Sequence, residues 1–83
     1  MVNLERAALK GRLAEAEKEQ ARLRNKFEAL ARTLREGLNT ALHRAIEDIE
    51  IPQLAQIWSD LEVTWATLIS IRSDIERLNK ELS

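Results

Sequence analysis

Apolar residues in this chain recur at alternating steps of four and three, twice, on either side of its single proline. In the first run Leu9, Leu13, Ala16, Gln20, Leu23, Phe27, Leu30 and Leu34 fall on one heptad seam, with Gln20 as its one polar member. In the second, Leu54, Ile57, Leu61, Thr64, Leu68, Ile71, Ile75, Leu78 and Leu82 do the same, with Thr64 as the polar member. This spacing keeps apolar side chains on one stripe of an α-helix and scatters them over both faces of a strand, so the chain is read as all-α.

After Leu34 the spacing changes: Leu38, Leu42, Ala45 and Ile49 follow at steps of 4, 4, 3 and 4, with Gly37 at the change. An inserted step of four is a stutter, which locally unwinds a left-handed supercoil. Helix one is expected to run from about residue 3, capped by Asn3, to about residue 47. The turn is expected at about 48–51 and helix two at about 52–82, with Pro52 in its first turn, where a missing N–H costs nothing.

Two long helices with a short connection form an antiparallel hairpin. A turn near residue 50 makes the numbers of facing residues add to about 100, and helix one then overhangs helix two by roughly 20 Å. Leu9 and Leu13 lie in that overhang without a partner in their own chain. Two helices also cannot enclose both seams and two tryptophans. The expected assembly is therefore a homodimer, a four-helix bundle built from a single-domain hairpin spanning residues 1–83. Chains of this size, here 9.5 kDa, have marginal cores, which favours self-association.

Composition excludes several classes. There is no cysteine, hence no disulfide framework, thiolate site or cysteine nucleophile. No uncharged stretch exceeds nine residues, the length of Val63 to Ile71, far short of the roughly 20 needed to span a bilayer. The opening MVNLERAALKGRL is charged throughout and carries no apolar leader. A cytoplasmic protein is expected. No phosphate loop, nucleophile triad or cofactor motif is present, so neither an enzyme nor a cofactor is expected.

The net charge of −1 conceals an asymmetry: residues 1–44 carry +4 and residues 45–83 carry −5. The basic residues of helix one are interleaved with glutamates, and pairs such as Arg24 with Glu28 have intrahelical ion-pair spacing. That pattern favours a salt-bridged solvent face over nucleic-acid binding, which is kept as a lesser alternative in the form of a DNA- or RNA-binding dimer. His43 and Glu47 have metal-ligand spacing, but two ligands are too few, and no metal is expected.

The candidate partner-binding residues gather around the turn. Glu47, Asp48, Glu50, Asp60 and Glu62 occupy a stretch with no basic residue between Ala45 and Ile71. They lack a calcium loop, and a lone-sign cluster of this kind is either a solvated cap or a docking surface for a basic partner. Trp58 and Trp65, seven apart, flank the second seam. They either fill the wide end of the core or, if exposed, mark a contact surface, because tryptophan is enriched among binding hot spots.

The segment IEDIEIPQLAQIWSDLEVTWATLISIRSDIERLNKEL, residues 46–82, joins an acidic turn with Pro52 to Trp58 and Trp65 and then to a Leu/Ile heptad with Arg72 and Arg77. It resembles small helical early-region proteins of Mu-like transposable bacteriophages. The resemblance covers under half the chain and implies a phage-encoded modulator or inhibitor of a host protein. It carries over no site residue. The expected function is thus protein–protein interaction without catalysis, with a structural coiled-coil subunit of a larger assembly as the alternative.

Overall fold

The computed structural model describes residues 2–83. Two helices, α1 (Val2–Ala41) and α2 (Ile51–Leu82), pack along their length as a hairpin, with a short 3-10 turn at Ile46–Asp48 between them. The molecule is a rod of 67 × 15 × 14 Å.

Burial in α1 follows the seam read from the sequence. Leu9, Leu13, Ala16, Gln20, Leu23, Phe27, Leu30 and Leu34 are all buried or half-buried, while most of their neighbours are exposed. Beyond Leu34 the expectation fails. The half-buried positions are Gly37 and Ala41, whereas Leu38 is 50% exposed and Leu42 81% exposed. The heptad therefore continues without a stutter, carried by two small residues that a count of bulky apolar positions passes over. Gly37 is small for a physical reason: a Cβ placed there would lie 2.6 Å from Leu54 Cδ2. The α2 side chain sits directly on the α1 backbone.

That contact also corrects the register. Facing residues have numbers that add to about 91, as Gly37 and Leu54 do, not 100. Leu61 then lies at the level of Leu30, Leu68 at Leu23, and Leu82 at Leu9. The overhang shortens to roughly 10 Å at the start of α1, because α1 ends at Ala41 rather than near Glu47. Leu9 and Leu13 are half-buried within their own hairpin. Helix α1 stops early because Leu42 and Ile46, both more than four-fifths exposed, give a further helical turn nothing to pack against. Its last turn tightens instead, with His43 N–H bonding Thr40 O at 3.1 Å and Arg44 N–H bonding Ala41 O at 3.2 Å. The chain then turns extended at Ala45. Asn3 lies inside α1 rather than capping it, since the helix already includes Val2.

Helix α2 opens on Glu50, with Pro52 in its first turn as expected, and the first helical bond runs from Leu54 N–H to Glu50 O at 3.2 Å. It closes on Ser83, whose N–H reaches Asn79 O at 3.0 Å and whose hydroxyl donates to Lys80 O at 2.9 Å. Thr64, the polar member of the second seam, is only 2% exposed. Its hydroxyl donates to Asp60 O at 2.8 Å, within its own helix. The polar group is thereby satisfied without leaving its own helix. Among the described residues the buried apolar core is thin: Leu23, Leu61 and Leu78, none of them completely covered.

Candidate interaction surface

The two sides of the hairpin differ in chemistry. On heptad geometry, the residue following each Leu54-type position by four lies on one flank, and the residue preceding it by one lies on the other. The first flank of α2 is Ile51, Trp58, Trp65, Arg72 and Asn79; the second is Gln53, Asp60, Thr67, Asp74 and Glu81. On α1 the corresponding rows are Leu38, Ala31, Arg24, Glu17 and Lys10 against Thr40, Thr33, Lys26, Glu19 and Arg12. In an antiparallel pair, like flanks meet. One edge of the rod is therefore apolar over its turn-proximal half, and the opposite edge is polar throughout.

The apolar edge is a groove. Phe27, Trp58, Leu61, Glu62, Trp65 and Ala66 line a cleft of about 560 Å³. Trp58 is 56% exposed and Trp65 57% exposed, so neither tryptophan completes the hairpin core. Both instead present most of an aromatic face to solvent. Leu38, Leu42, Ile51 and Ile69 extend the exposed apolar surface to either side. The stripe runs from Leu42 to Ile69, roughly 30 Å along the rod. Arg24 and Arg72 bound its far end, where they line a smaller cleft with Gln20, Trp65, Leu68 and Ile69.

The seven residues singled out from the sequence are divided among four places. Glu47 and Asp48 form the exposed 3-10 turn at the end of the rod. Glu50 lines a pocket of about 190 Å³ beside it, with Thr40, Arg44 and Gln53 among its other walls. Trp58, Glu62 and Trp65 share the groove. Asp60 lies two residues from Trp58, some 200° round the helix and so on the polar edge, where Gln56 Nε2 donates to its Oδ1 at 3.2 Å. Sequence spacing placed these acids together because they are near in number; the helical turn separates them. Missed entirely as surface residues were Phe27, Leu38 and Ile51. The seven-residue spacing of Ile51 with Trp58 and Trp65 was the signal that would have found Ile51.

His43 and Glu47 do not share a helix face, since α1 ends before either. Among the described residues no cluster of three or more His, Asp or Glu could hold a metal. The ion pairs also differ from the expected Arg24–Glu28 spacing. Arg22 donates to both Glu19 carboxylate oxygens through two of its three guanidinium nitrogens, with Nε to Oε2 at 2.9 Å, and Arg77 lies 3.6 Å from Asp74. The hydrogen bond from Arg22 holds the Glu19 carboxyl below its usual value; slight desolvation opposes this and the guanidinium charge reinforces it. A lowered acid pKa adds stability above the ordinary glutamate value and loses it as pH falls through the lowered one. This pair is solvent-exposed, so that contribution is small.

No family model, curated protein or solved structure matches this chain. Among the described residues no helix is long and apolar enough to cross a membrane.

Proposed function

We infer that this chain is a non-enzymatic protein–protein interaction module whose docking surface is the apolar edge of the hairpin. One observation carries the reading: Trp58 and Trp65, each more than half exposed, line one groove with Phe27. Large aromatics on a rigid helix lose little conformational entropy on binding and supply the desolvated anchors on which interface energy concentrates. The acidic turn at Glu47 and Asp48 adds a lone-sign field at one end, which speeds encounter with a basic partner and selects against an acidic one. A host protein as the partner, in a bacterial cytoplasm, is the reading that the likeness of residues 46–82 to phage early-region proteins supports. The heptad burial along both helices also suits a structural subunit, and that role would use the same edge.

The test is capture from a bacterial lysate with the parent, Trp58→Ala and Trp65→Ala, each checked for unchanged helicity. A single stoichiometric protein retained by the parent and lost by both variants supports the reading. Equal capture by all three places the contact elsewhere. Reversing two charges at the turn (Asp48→Lys with Glu50→Lys) should slow association with that protein and flatten its salt dependence.

A further inference from the structure

We propose that the apolar edge is covered by a second copy of this chain, packed antiparallel about a twofold axis at Trp58; this deepens the docking reading by naming an occupant. The first reason is area. A compact monomer of this mass is expected to expose about 5,000 Å², whereas this 9.5-kDa chain exposes 6659 Å². The half-exposed tryptophans and the aliphatic residues beside them account for on the order of 600 Å² of apolar surface, close to the roughly 800 Å² per partner of a stable interface.

The second reason is symmetry. The apolar stripe from Leu42 to Ile69 is centred on Trp58, with Ala31 beside it on α1. Rotation about that point sets Trp65 of one copy against Ile51 of the other, seven residues away on either side. On α2 apolar surface then meets apolar surface from Ile51 to Trp65, while on α1 Leu38 comes to the level of the partner's Arg24. An isologous interface requires this self-complementarity.

The third reason is charge. The same rotation brings Arg72 to the level of the partner's acidic turn at Glu47 and Asp48. It also brings Arg35 to the level of the partner's Glu28. A parallel packing instead stacks the two acidic turns on each other. Long-range charge therefore selects the antiparallel arrangement, while the groove supplies the apolar contact.

Sedimentation equilibrium from about 1 to 200 µM, a range that brackets ordinary small-dimer affinities, reads the result. The expected mass is twice 9.5 kDa. Trp58→Glu places two carboxylates at the axis and should weaken association about 30-fold or more. Arg72→Glu should weaken it about 5-fold and Asp48→Arg should restore it in the double variant. Thr33→Glu with Thr67→Glu, on the polar edge, should change nothing. Because the chain has no cysteine, orientation is read directly: Ala31→Cys should cross-link to itself across the axis. Ile46→Cys should not, its two copies lying roughly 40 Å apart.

A 9.5-kDa mass at every concentration, with helicity intact, overturns the second copy as occupant. So does dissociation by the polar-edge variant alone, or self-cross-linking at residue 46. A monomer that still loses a captured protein on Trp58→Ala keeps the docking reading and sinks this one. A dimer with no groove-dependent capture keeps the second copy as the occupant and removes the host protein as partner.

Discussion

Two glycines in one helix answer to different constraints. A methyl group added at Gly11 would have nothing within 4 Å, whereas the same methyl on Gly37 meets Leu54 Cδ2 at 2.6 Å. Replacing glycine by alanine in a helix gains about 1 kcal/mol from the backbone. At Gly11 that gain is unopposed, and Gly11→Ala should raise stability by about 0.5–1 kcal/mol, read by urea denaturation. At Gly37 the leucine must rotate, at about 0.5–1.5 kcal/mol for a displaced rotamer. Gly37→Ala should therefore be neutral to mildly destabilising. If both variants gain equally, Leu54 does not sit on the glycine and the register is wrong.

The elements test the register in a second way. Leu34 and Leu38 are one turn apart and chemically identical, yet Leu34 is half-buried and Leu38 is 50% exposed. Within the hairpin, Leu34→Ala should cost about 2 kcal/mol and Leu38→Ala under about 0.5 kcal/mol, measured at concentrations low enough to keep chains apart. The opposite ranking would restore the stutter. At the junction, Pro52→Ala should lose less than about 1 kcal/mol, since Pro52 acts mainly by restricting the unfolded chain. Leu54→Pro should cost about 3 kcal/mol or more, because it removes the first helical bond, Leu54 N–H to Glu50 O, and the side chain that covers Gly37. Equal melting temperatures for these two variants would misplace the start of α2.

For the whole molecule the deciding fact is the thinness of its core. Only Leu23, Leu61 and Leu78 are buried among the apolar side chains described, none of them completely, and the rod is about 15 Å across. A core of this size leaves little margin over the conformational entropy of ordering the chain. Both helices should melt in one transition, since neither buries its stripe without the other. The midpoint should rise by several degrees for each tenfold increase in protein concentration, because the second copy binds only the folded form. Circular dichroism at several concentrations checks this, and a concentration-independent midpoint would place all the stability in the single hairpin.

The alternating three–four spacing determined, without any coordinates, that this chain forms two helices and which faces they bury from Leu9 to Leu34 and from Leu54 to Leu82, and Pro52 marked the first turn of the second. Those are local matters: helical periodicity fixes which side chains share a stripe whatever the stripe meets. Where α1 ends was not local. Leu38 and Leu42 look like core by spacing, and Gly37 and Ala41 look like nothing; only the approach of Leu54 to Gly37 reverses that ranking. Spacing along the chain was enough to part the tryptophans from Asp60, but not to say what shares each edge of the rod with them. Trp58 and Asp60 are neighbours in sequence and lie on opposite edges because two residues turn a helix by some 200°. That one edge is apolar and the other polar is a property of both helices at once, and it exists only when a particular register brings Trp58 alongside Ala31. The tertiary structure decided it because packing, unlike periodicity, depends on what stands across the interface.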